Sequence, residues 1–321
     1  MTQKIPRSLK NSKNFSKEEP REIYDIAESR DLIRASISLY GYTPEHNLYD
    51  YEYALDKDTR NVFVSFSENM GLLAKEEPKS CIWWLLAEPL APVENRAEVI
   101  VSFLRDIFKK HGARAVHFEL RADTRKALIH ALPKDFRARA PSAILTTPLF
   151  EPERFDEELR GNFYKKIRSV VHQYYKAHRV EVSDAIKCAK SDLHNLIDRW
   201  RKNRVSRDRA FDDYYHNIID NNFLGFDAAR VIRADSVPVI INGGWRIPNS
   251  NSFYKALGVH DYSDRALGDV SMVEELSWLR RSGYTLGDFG GGEKHLTNFK
   301  KRFGPTSYYK SYEFTVVPNK S

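Results

Sequence analysis

The sequence predicts an α/β (α+β) chain of two consecutive mixed units, each a mainly antiparallel sheet flanked by helices. Three observations predict this. Short apolar runs with strand alternation are interspersed with amphipathic stretches at helical spacing. Pro148 and Pro152 mark a break near the middle. The elements after the break repeat, more clearly, the order before it. With 321 residues the chain is long enough for two domains of ordinary size. The expected division is a disordered head over residues 1–22, a first unit over 23–152 and a second over 153–321.

In the first unit, Tyr24 to Tyr40 reads as a helical or loop entry, followed by a strand at Val62 to Ser67 and an apolar strand at Ile82 to Ala87. From Glu94 to His111 the residues Val99, Ile100, Phe103, Leu104 and Ile107 recur at helical spacing, and His111-Gly112 is a helix stop. Ala113 to Leu120 alternates as a strand. Asp123 is placed to cap a short helix to Leu132, and Ser142 to Leu149 closes the unit as a strand.

The second unit opens at Phe155. Asn162 to His178 is a basic amphipathic helix with Phe163, Ile167, Val170, Val171 and Tyr174 as its apolar stripe. Helices near Ser191 to Arg201 and Ala210 to Asn221 follow. Ala228 to Ala234 and Pro238 to Asn242 read as a hairpin turned at Asp235-Ser236. Trp245 to Pro248 reads as a polar turn and Asn251 to Leu257 as a strand. Val270 to Ser282 is a helix with Val273, Leu276, Trp278 and Leu279 inward, stopped by Gly283. A strand at Tyr284 to Phe289, a glycine turn, a helix from Lys294 to Phe303 and a strand at Tyr312 to Val317 complete the order.

Composition narrows the function. Hydrophobic residues make up 41%, enough for cores and too many for wholesale disorder. Lys and Arg number 51 against 44 Asp and Glu, a net charge of +7 that mildly favours polyanionic partners. Cys81 and Cys188 stand far apart and outside any CxxC pattern, so neither a disulfide framework nor a zinc site is expected, and a reducing compartment fits. The first twenty residues lack the apolar core of a secretory signal, and the run Cys81 to Ala87 is too short to span a bilayer. The expectation is a cytoplasmic protein with no cofactor and no metal.

The chemistry concentrates in the closing segment. Gly287-Asp288-Phe289-Gly290-Gly291-Gly292 runs from a strand into a glycine turn, and Phe299-Lys300-Lys301-Arg302-Phe303-Gly304 follows on a helix. Leu296, Phe299, Lys300 and Phe303 share one helical face, with Lys301 and Arg302 off it. Lys300 therefore interrupts an apolar stripe, where an unpaired ammonium is costly. Two roles fit: a lysine whose stem is buried and whose head reaches water, or a cation facing a cleft to stabilise an oxyanion or phosphate. Asp288, also in an apolar strand, fits either a turn or capping aspartate or a group that orients an amine or pairs with Lys300. The glycines allow positive φ and close backbone approach. Arg160, Lys165, Lys166, Arg168 and His172 could grip phosphates or form a solvated helix face. Arg199, Arg201, Arg204, Arg207 and Arg209 extend the basic character, and tyrosines interleave with these groups. A P-loop, HExxH, GxSxG and a strand-linked GxGxxG are all missing from the sequence.

These residues carry a resemblance. The stretch Leu276 to Gly304 resembles the closing segment of Fem-type peptidyltransferases, with its "DxGG…FKxxFG" pattern. Arg160 to Arg168 resembles the basic helix that opens the second half of those proteins and of the lysyl-phosphatidylglycerol synthase C-terminal family, and Phe211-Asp212-Asp213-Tyr214-Tyr215 fits the aromatic helix further on. The likeness covers about Phe155 to Val317, and Trp84 to Pro89 adds a fainter one. The resemblance implies two acetyltransferase-like (GNAT) domains in tandem. It implies aminoacyl-tRNA as donor, an amine or hydroxyl acceptor left open, and possible peripheral contact with an anionic membrane. It makes Lys300 the oxyanion stabiliser. Together with the reading of the residues, the expected site has Lys300 and Asp288 as catalytic groups and Phe299, Gly290, Gly291, Lys165 and Arg168 as substrate-binding groups. The junction from His260 to Met272 lacks the Q/RxxGxG/A pyrophosphate loop of acetyl-CoA-dependent acetyltransferases, in agreement. Two other readings stand beside it: an acyl-CoA or acyl-carrier N-acyltransferase, and a non-catalytic module that binds tRNA or nucleotide. The leading reading expects a tunnel between the two halves that reaches Lys300.

Overall fold

A computed structural model describes residues 22–53, 58–85, 87–203, 212–292 and 294–319. The expected head, Leu86 and the stretch with Arg204, Arg207, Arg209 and Phe211 lie outside the described residues. In the first half, β1 (Glu22–Asp25) leads to α1 (Arg30–Tyr40) and α2 (Leu48–Tyr53). Then come β2 (Arg60–Ser65), β3 (Gly71–Glu77), β4 (Ile82–Leu85), α3 (Arg96–Lys110), β5 (Ala115–Arg121), α4 (Ala122–Ala131), β6 (Phe136–Ala138) and β7 (Ala143–Phe150). The second half holds α5 (Lys165–Ala177), β8 (Val180–Asp184), α6 (Lys190–Lys202), α7 (Asp212–Asp220), β9 (Ala228–Ala234), β10 (Val237–Arg246) and β11 (Ser252–His260). It ends with α8 (Ala266–Arg281), β12 (Leu286–Asp288), α9 (Lys294–Lys301) and β13 (Ser307–Pro318).

The strands form one mixed sheet in the order β1-β2-β3-β4-β5-β13-β7-β12-β11-β10-β9-β8, with β6 on the side of β13. The mixed α/β class expected from the sequence is the one found. Each half contains the same run: four antiparallel strands, a helix, then a parallel step. The parallel steps are β4 with β5 across α3, and β11 with β12 across α8. The last strand breaks the simple succession. β13 inserts between β5 and β7, pairing Phe314 with Phe118 and Tyr309 with Thr147. β7 in turn pairs with β12 through Phe150 and Leu149. The halves thus exchange closing strands.

Helices cover both faces of the sheet; β2 and β10 are buried on both sides along most of their length, whereas β4 and β5 alternate between buried and more open positions. In β2, Val62 and Val64 face the core under α3 and α4, while Phe63 faces the core under α1 and α2. In the second half, one core forms against α5 and α8 and another against α6 and α7. Phe314 and Val316 of β13 belong to the first-half core, and Phe150 of β7 to the second-half core. The segment from Gly41 to Tyr53 docks on the second half. There the Trp245 indole donates to the Pro44 carbonyl at 2.8 Å, and the Tyr214 hydroxyl donates to Asp50 at 2.6 Å.

Several elements differ from the sequence reading. β1, α2, β3, β6 and β8 are additional. β3 continues directly into Lys75-Glu76-Glu77, which hides its apolar start. Trp245 lies in β10 rather than a turn, because its buried ring and indole contact keep the strand going. Asp123 is inside the first turn of α4 and makes no capping bond; Arg121 holds the cap position. Phe163 precedes α5 and is exposed, so the stripe of that helix is Ile167, Val171 and Tyr174. The Asp235-Ser236 turn is as expected, both residues having positive φ (51° and 71°) as a tight hairpin turn requires.

Phe314 stacks on Phe118 with ring centres 5.2 Å apart and is buried in the first-half core. Phe314→Ala should cost about 3–5 kcal/mol of unfolding free energy, read by urea denaturation. A change under 1 kcal/mol (well below the range for buried Phe→Ala) would show that β13 does not support that core.

Candidate functional site

β11 and β12 pair in parallel only from Ser252–Leu286 to Tyr254–Asp288. Beyond that point β11 continues to His260, while the other chain turns away at Phe289 and Gly290. A parallel pair that parts leaves a wedge in the sheet. The backbone helps to open it: the β10–β11 register shifts between Gly243 and Trp245, opposite Lys255 and Ala256. Gly244 permits this bulge, since a Cβ there would stand 1.8 Å from the Tyr254 carbonyl oxygen.

The wedge holds a cavity of about 490 Å³, within the ordinary range for small-ligand sites. β11 contributes Tyr254, Lys255 and Gly258 to its wall. The start of α8 contributes Gly268, Ser271 and Met272, and α9 contributes Leu296, Phe299 and Lys300. Trp200 and Tyr215 close it from α6 and α7. The cavity reaches Lys300 as expected, but its walls all come from the second half between Trp200 and Lys300. It is not a tunnel between the halves.

At its inner end, the Lys300 side chain is buried, with Nζ donating to the carbonyls of Phe289 at 2.5 Å and Gly290 at 2.7 Å. An ammonium has three protons, so two are fixed by the glycine turn and the third is available to the cavity. Burial pulls this amine down to about 8, with the Lys255 ammonium adding to the effect and Asp288 opposing it. The positive φ of Gly290 (73°) lets consecutive carbonyls converge on one nitrogen.

Asp288 is buried and makes no ion pair with Lys300 within 4 Å. Its Oδ1 accepts the Gly290 N–H at 2.8 Å and its Oδ2 accepts the Tyr309 hydroxyl at 2.9 Å. Burial raises this carboxyl above its usual range, and these two bonds pull it back. Tyr309 also lines a second, small cavity of about 40 Å³ with Glu45, Glu88, Glu119, Arg121 and Ser311. Burial pushes Glu45 there up to about 7. Asp288 therefore sits between the two cavities, holding the glycine turn on one side and β13 on the other.

Phe299, Gly290, Gly291 and Lys300 come together at the cavity. Lys165 and Arg168 do not. α5 turns Ile167 and Val171 inward, which leaves Lys165 in solvent, and Arg168 is taken up by the carbonyls of Leu159 and Gly161. Arg160 is paired with Asp156 at 2.9 Å. Leu296 is more exposed than its helical phase suggested. The sequence reading missed Lys255, Tyr254 and Tyr309. For Lys255 a signal was present in the sequence, where it falls at the same parity as the apolar Phe253, Leu257 and Val259; the bulge at Gly244 then puts Phe253 in the core against α5 and α8 and Leu257 and Val259 in the core against α6 and α7, with Lys255 at the switch.

No protein-family profile and no curated protein sequence matches the chain. Solved structures do match in fold. The C-terminal domain of a protein assigned as a lysylphosphatidylglycerol synthetase, from Agrobacterium fabrum, superposes with a TM-score of 0.63 at 14% identity, covering 92% of this chain and 91% of that one. L-PGS from Bacillus licheniformis gives 0.64 at 13% identity over 95% and 94%. A tandem GNAT protein from the clavulanic acid biosynthesis pathway gives 0.53 at 10% identity over 94% and 100%. The fold is therefore GNAT-like, as in these structures.

The link through Asp288 can be tested. Asp288→Ala leaves the Gly290 N–H and the Tyr309 hydroxyl without acceptors and should cost about 1–3 kcal/mol. Tyr309→Phe removes only one bond and should cost about 1 kcal/mol. Equal midpoints for Asp288→Ala and wild type in urea would deny Asp288 this bridging role.

Proposed function

We propose that the protein is an aminoacyltransferase that moves an amino acid from aminoacyl-tRNA to an amine or hydroxyl acceptor by direct attack. The observation that carries this is the Lys300 ammonium on the cavity wall, tethered by two carbonyls with one of its three protons left for a ligand. Such a donor is fixed in advance at the place where negative charge would develop. In the reaction the acceptor's lone pair attacks the ester carbonyl carbon. The carbonyl oxygen becomes an oxyanion held by Lys300. The tetrahedral species then collapses, the bond to the ribose oxygen breaks, and the proton lost by the acceptor passes to that oxygen. Phe299 and the Gly290-Gly291 backbone flank the reacting ester, and the walls from Trp200, Tyr215 and Tyr254 suit a stacked terminal nucleoside.

The turn leading into α8 favours this reading over acyl-CoA. Two of its amides are already engaged: Ser263 N–H donates to Asp261 at 2.9 Å and Ala266 N–H to Asp264 at 2.8 Å. Asp269 follows in the first helical turn, paired with Arg302 at 2.8 Å, and Asp261 is paired with Arg199 at 2.8 Å. A pyrophosphate placed there would compete with these carboxylates for the N–H groups and arginines of the turn. Charged tRNA should therefore bind in a gel-shift measurement and acetyl-CoA should not compete; the reverse result would favour the acyl-CoA reading.

Transfer can be followed by incubating the protein with radiolabelled aminoacyl-tRNAs and a cell extract and tracing the labelled fraction. Lys300→Met should reduce uptake by about 10²–10³-fold with the circular dichroism spectrum unchanged; undiminished uptake would exclude the oxyanion role. The pH dependence has a definite sign. The ammonium is the active form and burial lowers Lys300 to about 8, so transfer should fall as pH rises through about 8. Lys300→Arg, if it retains activity, should lose that descending limb because guanidinium stays charged. A limb that persists in Lys300→Arg would assign it to another group.

A further inference from the structure

We infer that Lys255 makes this cavity accept a donor whose amino-acid side chain is neutral or acidic and reject a cationic one. The inference rests on the reading of the cavity as the aminoacyl-tRNA donor site and adds the class of amino acid. Lys255 is held in place by a short relay. Its Nζ donates to Ser271 Oγ at 3.0 Å, and Ser271 Oγ donates to Asn242 Oδ1 at 2.8 Å. Asn242 is itself fixed by donating to the Ser271 carbonyl at 3.1 Å. The ammonium lies 5.5 Å from the centre of the Phe289 ring, while Lys300 binds the Phe289 carbonyl. Two cations thus bracket one residue of the cavity wall.

Among the described residues no carboxylate lines the space around them, although Asp288 acts on Lys300 from behind the glycine turn. The described residues that line the cavity include Lys255, Lys300, His260 and His295 and no aspartate or glutamate. Glu275, the carboxylate that acts on Lys255 from α8, is buried and already paired with Arg230 at 2.8 Å. A lysyl or arginyl side chain would enter as a third cation in a space shielded from water, where like charges repel strongly. Shedding its proton is costly, since these side chains titrate near 10.4 and above 12, whereas an α-amino group titrates near 7.7–8.0 and enters neutral with little difficulty. The discrimination therefore falls on the side chain, which all donors do not share. Fold likeness to structures named for lysylphosphatidylglycerol does not carry over to the donor.

Direct binding tests this without a known acceptor. Non-hydrolysable 3′-aminoacylamino-adenosines bearing leucyl, aspartyl or lysyl groups are titrated calorimetrically into the full chain. The leucyl and aspartyl compounds should bind, and the lysyl compound should bind at least roughly tenfold more weakly. In Lys255→Gln the leucyl-to-lysyl ratio should shrink to within about threefold, and in Lys255→Arg it should persist. Equal binding of all three to the wild-type chain overturns the selection and leaves the donor reading standing. An unchanged ratio in Lys255→Gln overturns the role of Lys255. Binding of none of the three overturns the donor reading, and the inference with it.

Discussion

The insertion of β13 between β5 and β7 is the constraint on which the rest of the site depends. By taking the place beside β5, β13 leaves β7 to pair with β12, and the sheet runs unbroken from one half to the other. It also brings Tyr309 onto Asp288. β12 has only three residues, Leu286 to Asp288, and a strand that short holds its register through its neighbours rather than through itself. Flanked by β11 on one edge and β7 on the other, it delivers Phe289 and Gly290 to the point where the sheet parts. The glycine turn of one half is thus positioned by the exchanged strands of both.

Electrostatics gives the wedge its character. A cavity that is merely a gap between strands would be apolar and indifferent. This one has two lysines drawn out of bulk water, each kept by hydrogen bonds: Lys300 by two carbonyls, Lys255 by a serine that an asparagine orients. Carbonyl and hydroxyl partners supply no formal negative charge. The cations are held without a carboxylate in direct contact, Asp288 and Glu275 acting on them only from a distance, which leaves much of their field for a ligand. Burial lowers both amines to about 8, so they remain largely charged at neutral pH yet lie near the range in which they can lose a proton. Asp288, by contrast, spends its two oxygens on the Gly290 amide and the Tyr309 hydroxyl. Its geometry suits it to hold the turn on which Lys300 depends, a positioning role.

Most of the helices and the central strands were legible because their apolar residues recur at a fixed period. Val99, Ile100, Phe103, Leu104 and Ile107 fall in one core as their spacing implied. Lys300 was legible by the same logic in reverse, as a charge at an apolar phase, and it is buried. The exchange of β7 and β13 was not legible, because strand alternation says which face a residue takes and nothing about which neighbour it finds. Lys165 and Arg168 were grouped with the site by charge and by sequence resemblance, but charge density along a helix does not say where the helix points. Lys255 was passed over although it stands as a charge among apolar strand positions, as Lys300 does on its helix; Asn251 to Leu257 read as a plain strand, and nothing in that pattern shows that the strand walls a cavity.

The fold and the cavity answer different questions. The GNAT-like architecture brings a parallel pair to the point where it splits, and many chemistries use such a split. The residues in the split decide among them. Here the helix N-terminus that could receive a pyrophosphate is occupied by Asp261, Asp264 and Asp269, and the cationic groups lie deeper, on either side of Phe289. That arrangement, carboxylates at the entrance to α8 and lysines on the cavity wall, is what the proposed carbonyl chemistry at Lys300 rests on. The small cavity behind Tyr309, lined by the first half and by β13, is separated from Lys300 by Asp288 and its two hydrogen bonds, so the glycine turn and β13 are held by one carboxylate.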